Sequence, residues 1–99
     1  MIEKLLNIQW NKSEHNRVYA DTWKLSYQLR TLGSGSVNAI LTLWYKDSIV
    51  DSYGALSTDL DEFHLVVNTF LKCENIAIKN ERIQQDADKK YAKLQYDEI

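Results

Sequence analysis

The chain has 99 residues and a mass of 11.6 kDa, which leaves room for one domain and argues against a second. Hydrophobic residues make up 44% and charged residues 26% of the sequence, which excludes an intrinsically disordered chain, because such chains are poor in apolar residues. The net charge of -2 argues against a protein whose affinity comes from neutralising many phosphates, since such domains are distinctly basic.

The first apolar segment predicts a short N-terminal helix. Ile2, Leu5 and Leu6 recur at spacings of three and four, and the helix is expected to end near Trp10. The apolar run is too short, and too often interrupted by charged residues, for a signal peptide or a membrane-spanning helix. Cys73 is the only cysteine, which excludes a disulfide framework and a multi-cysteine zinc site. We therefore expect a soluble cytoplasmic protein without a membrane partner.

Period-two alternation begins at Trp23, after a polar segment. Residues 11–17 contain no apolar side chain and predict a surface loop. From Trp23 to Arg30, large apolar residues alternate with polar ones, as in a strand with one buried face and one face in water. Gly33 and Gly35 follow, and because glycine adopts positive φ without steric cost, they predict a hairpin.

Two further strands complete a predicted three-stranded antiparallel meander. Both faces of the second strand carry large apolar groups, with Ile40 and Trp44 on the side opposite to Leu43, which favours a central strand. A turn near residues 46–48 returns the chain through a third strand that includes residues 49–53.

A strong helix start follows the predicted sheet. The hydroxyls of Ser57 and Thr58 can cap backbone N–H groups, and three carboxylates, those of Asp59, Asp61 and Glu62, lie at the positive end of the helix dipole. As ligands for a hard cation, these acids would need the oxygen spacing and the central glycine of an EF-hand loop, which the sequence lacks here. We therefore predict helix capping, with no metal site and no cofactor.

The rest of the chain predicts one or two C-terminal helices. An apolar stripe at spacings of three and four runs to about Lys72, whereas residues 74–79 fit either a short edge strand or more helix, and we predict a helix break there. Residues 80–99 follow as a charged C-terminal helix that protrudes or packs on the sheet. Its narrow apolar seam suits a neighbouring element or a second copy in a homodimer, and consists of Ile83, Ala87, Tyr91 and Leu94. Contact through the sheet is the alternative route to a homodimer.

The predicted fold is a single α+β domain over residues 1–99, with a short N-terminal helix, the three-stranded meander and the C-terminal helices packed on the sheet.

No catalytic site can be assembled from its reactive side chains. His15 lies in the polar segment, His64 lies on a helix flank, and Cys73 has no nucleophile-elbow context. We predict that the protein is not an enzyme.

Aromatic residues provide the main functional indication. The nine Trp and Tyr residues exceed what so small a core can bury, and both types are enriched where proteins bind one another. Trp44, beside Ile40 and Lys46, lies on the sheet face that a single covering helix would leave open. If the C-terminal helix covers that face instead, Trp44 belongs to the core. An alternative function is a nucleic-acid-binding accessory domain in which aromatics stack on bases and Lys24, Arg30 and Lys46 contact the phosphate backbone.

Two family resemblances follow from the order helix, three strands, helix. A double-stranded-RNA-binding domain shares this order, but that family places lysines where this chain has Asp59, Asp61 and Glu62. The order, the small size and the mild acidity also resemble the small phage-encoded inhibitors of bacterial defence, including anti-CRISPR proteins, without a shared motif. This resemblance implies that carboxylates occupy a basic nucleic-acid channel on a protein target such as a host defence nuclease. The contacting groups are then either these three acids or the tail acids Asp86, Asp88, Asp97 and Glu98, and we favour the three because lysines interrupt the negative field of the tail. We therefore expect a non-enzymatic inhibitor from a phage or mobile element, acting in the host cytoplasm, and rank direct nucleic-acid binding second.

Overall fold

The structure is a computed structural model that describes the backbone of residues 1–97 and the side chains of residues 1–84. One short helix, five strands and one long helix follow in chain order: α1 (Ile2–Asn7), β1 (Lys12–Glu14), β2 (Arg17–Ala20), β3 (Trp23–Thr31), β4 (Val37–Tyr45), β5 (Ser48–Leu56) and α2 (Leu60–Asp97). The strands form one antiparallel sheet in the order β1-β2-β3-β4-β5. The α+β class, the N-terminal helix and the C-terminal helix are confirmed, whereas the prediction of three strands is wrong.

The two additional strands come from the segment around residues 11–17, which was predicted to be a surface loop. Strands β1 and β2 pair antiparallel, and the turn between them is formed by His15 and Asn16, whose φ angles are 33° and 50°. A two-residue turn with both φ angles positive matches the twist of a hairpin. β1 is a short edge strand with a mostly exposed surface, so it needs no apolar residues. The period-two apolar pattern by which strands are predicted from sequence is therefore absent from this segment.

The hairpins predicted around Gly35 and residues 46–48 are present. Gly35 adopts a φ of 88° in the β3–β4 turn, and it is the only glycine in the described chain with a positive φ. The β4–β5 turn is made by Lys46 and Asp47, with φ angles of 48° and 66°. Of the two glycines predicted to form the β3–β4 turn, Gly33 and Gly35, only Gly35 adopts a conformation that requires glycine.

Helix α2 continues without the predicted break at residues 74–79. Val66, Phe70, Cys73 and Ala77 are buried at spacings of three and four, so the same helical stripe runs through the ambiguous segment. Ile76 and Ile78 suggested an edge strand because they are two residues apart. In the structure they lie on different sides of one helix, and Ile78 is exposed. The structure thus has one C-terminal helix and not two.

The start of α2 is capped differently from the prediction. The N–H of Glu62 donates to Asp59 Oδ1 at 3.4 Å, which makes Asp59 the capping residue. The Ser57 hydroxyl oxygen accepts instead from the N–H of Val37 at 2.9 Å, which ties the end of β5 to the start of β4. The hydroxyl cap assigned to Ser57 and Thr58 is therefore wrong, and a carboxylate performs that role.

A buried cluster around Trp10 joins the N-terminal segment to α2. Helix α1 ends at Asn7, before the predicted end, and Trp10 lies beyond it with its Nε1 donating to the carbonyl oxygen of Leu5 at 2.8 Å. Asn80 Nδ2 donates to the carbonyl oxygen of Trp10 at 2.7 Å. Because each polar group that is buried here has a partner, the large indole can be enclosed without an unpaired donor.

The core lies on one face of the sheet, which we call the covered face. Helices α1 and α2 both pack on this face, where alternate residues of four strands are buried: Val18, Ala20, Leu25, Ala39, Leu41, Leu43 and Ala55. No helix packs on the opposite face within the described part of the chain, and none of the buried core residues points to it. The sheet therefore has one covered face and one open face.

Candidate functional site: an open sheet face

The strand register arranges the side chains of the open face in rows. Residues that are directly opposite in an antiparallel pair point to the same side of the sheet. The first row crosses all five strands and contains Lys12, Tyr19, Lys24, Trp44 and Ile49. The second row contains Glu14, Arg17, Ser26, Thr42 and Ser52. Gln28, Arg30, Asn38, Ile40, Gly54 and Leu56 extend the open face towards the β3–β4 turn.

Trp44 is partly exposed in the first row, and two neighbours, Ser26 and Lys24, hold it in place. Its Nε1 donates to Ser26 Oγ at 3.3 Å, and the Ser26 hydroxyl donates to the carbonyl oxygen of Thr42 at 3.5 Å. The Lys24 ammonium lies over the indole, 4.4 Å from the ring centroid, in cation–π geometry. The indole therefore presents a fixed aromatic surface at the face of the sheet.

Cations and aromatic rings alternate along the same row. Lys12 Nζ lies 5.9 Å from the Tyr19 ring centroid, which repeats the arrangement of Lys24 over Trp44 one pair further along. A depression of about 420 Å³ at this end of the sheet is lined by Tyr19, Lys24, Trp44 and Lys46, and also by the turn carboxylates of Asp21 and Asp47. Volumes of this size are within the range of small binding sites, but an open depression on a flat sheet suits a macromolecular surface better.

The open face is basic although the chain as a whole is acidic. Its strand residues include four cations, Lys12, Arg17, Lys24 and Arg30, against one carboxylate, Glu14, a surplus of three positive charges. Glu14 is itself close to Lys12, with 3.9 Å between Nζ and Oε2. The acid surplus lies in residues 57–99, which hold nine acidic residues and six basic ones. Charge is therefore segregated between the sheet and the C-terminal part of the chain.

Among the residues predicted for partner binding, Ile40 and Trp44 share the open face. They are four residues apart on β4, about 13 Å along the strand, with Thr42 between them. Ile40 is half-buried, and its Cγ1 lies beside Gly54 on the neighbouring strand. Lys46 lies in the β4–β5 turn, with its Nζ 5.5 Å from the ring centroid of Tyr45. Ile40 and Trp44 therefore lie on the open face, and Lys46 lies at the end of the sheet where β4 turns into β5.

The predicted acids lie at the other end of the sheet. Asp59 and Glu62 border a depression together with Asn38, which is six residues along β4 from Trp44, or about 20 Å. The acids and the indole therefore belong to separate surfaces.

Two of the three acids have structural roles. Asp59 caps α2, and the Glu62 carboxylate accepts a hydrogen bond from the Tyr53 hydroxyl. This hydrogen bond, supported by partial burial and by the negative charges of Glu62 and Asp59, raises the pKa of Tyr53 above its usual value. Asp61 is exposed and has no side-chain hydrogen bond or ion pair with another described residue.

The predicted apolar seam is only partly visible. Ile83 is 58% exposed, whereas Ala87, Tyr91 and Leu94 lie outside the residues whose side chains the structure describes. Ile83 borders a depression between α2 and the segment from Gln9 to Lys12. The seam therefore begins at the point where α2 passes the edge of the sheet.

The reactive side chains do not converge. His15 lies in the β1–β2 turn, and His64 is exposed on α2, where its ring lies 6.3 Å from that of Phe63. Cys73 is fully buried, and burial raises the pKa of its thiol to about 11, which keeps it protonated and unreactive. These three groups therefore offer no nucleophile and base in contact.

Tyr19, Arg17 and Ser26 are site residues that the sequence reasoning missed. Tyr19 and Arg17 belong to β2, which went unrecognised because its partner β1 is polar. Ser26 was assigned only to the polar face of β3, and its hydrogen bond to Trp44 depends on the register with β4. The period-two spacing of the buried Val18 and Ala20 is the one signal that could have revealed β2.

Neither a metal-ligand cluster in the described residues nor a related protein points to a function. Among the described residues, no group of three or more His, Cys, Asp or Glu side chains is placed to hold a metal ion. The helices of the described chain include none with the length and apolarity to cross a bilayer. No protein-family model matches the chain, and no curated protein and no solved structure was found to match it either. The geometry of the site is therefore the basis for a functional proposal.

Proposed function

We propose that this is a non-enzymatic binding protein that contacts a protein target through the open sheet face. The observation that carries the proposal is Trp44, a partly exposed indole fixed by Ser26 and Lys24 on a sheet face that no described helix covers. A rigid aromatic side chain loses little conformational entropy on binding, and tryptophan is the residue type most often found at interface hot spots.

The charge of the open face indicates the chemistry of the target. Lys24 lies directly opposite Trp44 and Arg17 lies directly opposite Ser26 in the strand register, and Lys12 extends the basic row to the sheet edge. Complementary potentials accelerate association and exclude wrong partners, so an acidic patch on the target fits this face best. The partner in this proposal is a protein with an acidic, partly apolar surface.

The biological context in this proposal remains an inhibitor from a phage or mobile element that acts on a host target such as a defence nuclease. It is supported by the resemblance in small size and mild acidity alone, because the five observed strands depart from the three-stranded order on which the resemblance also rested. Because Asp59 and Glu62 have structural roles, acidic mimicry of nucleic acid would depend mainly on Asp61. Contact through the basic open face with an acidic region of the target is therefore favoured over insertion of these acids into a basic channel.

A second candidate function is binding of single-stranded nucleic acid on the same face. It is favoured by the alternation of Lys12, Tyr19, Lys24 and Trp44, because proteins that bind single strands combine stacking aromatics with cations along the backbone. The Lys24 ammonium lies over the indole, so stacking of a base on that side of Trp44 requires this flexible side chain to swing towards a phosphate.

One set of variants tests both functions. Trp44→Ala removes the indole, and Leu71→Ala is the matched control, because Leu71 is a large exposed side chain on α2, away from the open face. The wild type and both variants are immobilised for capture from a bacterial lysate with mass spectrometry, and are titrated with a labelled single-stranded oligonucleotide at low and high salt.

We expect a captured protein to bind the wild type and Leu71→Ala, and to bind Trp44→Ala at least about tenfold more weakly, as is typical of a hot spot. Oligonucleotide binding that falls steeply with salt and requires Trp44 would support the second candidate in place of the first. Equal binding by all three proteins, in both assays, would show that the open face is not the binding surface.

A further inference from the structure

A second depression lies on the open face, beside the one that contains Trp44. It has a volume of about 670 Å³, and Arg17, Ser26 and Gln28 line it from the open face. It lies where the short β1–β2 hairpin ends against the longer strand β3, a junction closed by the hydrogen bond from the N–H of Tyr27 to the carbonyl oxygen of Asn16 at 2.9 Å. The depression is therefore built by the step between a short hairpin and a long strand.

The two depressions adjoin each other. Tyr19 lines both of them, and Ser26, which lines the second, accepts the hydrogen bond from Trp44 Nε1. Trp44 on β4 and Arg17 on β2 are separated by strand β3 and by one row of the register. The spacings of strands and of rows place their Cα atoms roughly 12 Å apart. A single ligand can therefore contact both residues.

Arg17 is the available cation of the second depression. Its guanidinium is exposed and has no hydrogen bond or ion pair with another described residue. Glu14 is opposite Arg17 in the register, but the Glu14 carboxylate lies 3.9 Å from the ammonium of Lys12. A planar guanidinium donates two parallel hydrogen bonds to a carboxylate. Arg17 therefore offers unpaired donors to a negative group of a ligand.

A carboxylate fits this depression better than a phosphate does. The lining contains one arginine, no lysine and the carboxylate of Glu14. A phosphate monoester carries about -1.5 to -2 charges at neutral pH, so one guanidinium would leave part of its charge uncompensated beside Glu14. A carboxylate carries a single charge, which one guanidinium balances.

The depression that contains Trp44 favours an apolar group. The carboxylates of Asp21 and Asp47 line it together with Lys24 and Lys46, so its charged side chains cancel and do not attract an acid. The partly exposed indole remains as the main contact surface, and a buried tryptophan contact is typical of an interface hot spot. The two depressions therefore differ in the chemistry that they recognise.

We propose that the open face binds an extended segment of the target protein, in which an acidic residue contacts Arg17 and a large apolar residue contacts Trp44. An extended chain advances about 3.3 Å per residue, so a span of roughly 12 Å corresponds to two residues three or four positions apart. This inference rests on the proposed function, since it names the chemistry that the same face recognises. It adds a defined charge, a defined spacing and Arg17 as the residue that selects the acid.

The test selects ligands directly on the full chain. A random peptide library is enriched on the immobilised wild type, and the enriched peptides are synthesised and titrated against the wild type, Arg17→Gln, Trp44→Ala and Arg30→Gln. Arg30→Gln is the matched control, because Arg30 is an exposed arginine of the open face that lines neither depression. It removes the same charge, so a loss restricted to Arg17→Gln reports a contact and not the general field of the face. Thermal unfolding verifies that each variant is folded.

We expect the enriched peptides to carry Asp or Glu three or four residues from a large apolar residue. They should bind Arg17→Gln and Trp44→Ala at least about tenfold more weakly than the wild type, whereas Arg30→Gln should change the affinity less than about threefold. Replacing the acid of a peptide by its amide should abolish the difference between the wild type and Arg17→Gln.

Four results would overturn the inference: no enriched peptide, enriched peptides without an acid, equal binding by Arg17→Gln and Arg30→Gln, or an affinity that rises when phosphoserine replaces the acid, which would assign the depression to a phosphate. Binding that requires Trp44 but not Arg17 would overturn this inference and leave the proposed function intact. Binding that requires neither residue would also overturn the inference, and capture from lysate with Trp44→Ala then tests the proposed function separately.

Discussion

Ile40 and Leu41 are neighbours on β4, yet they belong to different parts of the molecule. Leu41 points to the covered face and is fully buried under the helices, whereas Ile40 points to the open face and is half-buried. Both faces of this strand carry large apolar residues, with Leu43 on one side and Trp44 on the other. The difference teaches that an apolar residue becomes core only where a second layer covers it, and that the uncovered layer remains available for binding.

Truncation of these two neighbours gives the largest expected contrast. Leu41→Ala should lower the free energy of unfolding by about 2–5 kcal/mol, because it removes buried methyl groups and leaves a cavity. Ile40→Ala should cost about 1 kcal/mol, since the side chain is already half in water. Urea denaturation measures both values, and equal losses would show that the open face is covered.

The alkaline stability of the covered face should depend on Cys73. Its thiol has a pKa of about 11 in the folded chain against an ordinary value of 9.0, because burial disfavours the thiolate. This contribution to stability is fully present below about pH 9 and is lost as the pH rises towards 11, by roughly 2 kcal/mol.

The measurement for Cys73 is the free energy of unfolding as a function of pH, for the wild type and Cys73→Ala. Tyr27 and Tyr53 also have raised pKa values, so both proteins should lose stability in strong alkali. The difference between the two curves isolates the thiol. A difference that does not change between pH 8 and pH 11 would mean that water reaches the covered face at this point.

Substitutions of the acids at the start of α2 should distinguish Asp59, which caps the helix, from Asp61, which is exposed. Asp59→Ala should destabilise the protein by about 1 kcal/mol, because the cap of the helix that covers the sheet is lost. Asp61→Ala should change stability by about 0.5 kcal/mol or less, since only its interaction with the helix dipole is removed. Thermal unfolding of the two variants provides the comparison, and the reverse order would assign the cap to Asp61.

A similarly small predicted effect concerns the open face itself. Lys24→Met keeps the aliphatic length but removes the ammonium above Trp44, which should cost about 0.5–1 kcal/mol. Lys46→Met is the control, because its ammonium lies further from a ring, 5.5 Å from the centroid of Tyr45. Chemical denaturation of both variants is the measurement, and equal effects would indicate that the Lys24 contact adds nothing to the position of the indole.

The local pattern was sufficient for much of the fold. The alternation in β3 and β4, the turns at Gly35 and at Lys46 and Asp47, and the start of α2 were predictable, since each depends on interactions between residues close in sequence. Strand β1 was not predictable in this way. Its polar residues form a strand because β2 offers backbone partners, and those partners leave no apolar signature in β1.

The sequence by itself determined that the chain has more large apolar and aromatic residues than one face of a small sheet can bury, and it placed Ile40 and Trp44 together on one side of β4. It could not determine which side the helices would cover, because apolar residues occupy both. Only the tertiary structure decided this, through the path of α2 over the Leu25 and Leu41 side, where Val66, Phe70 and Ala77 complete the core. Burial is a property of the assembled layers, and the residues left outside them carry the proposed binding surface.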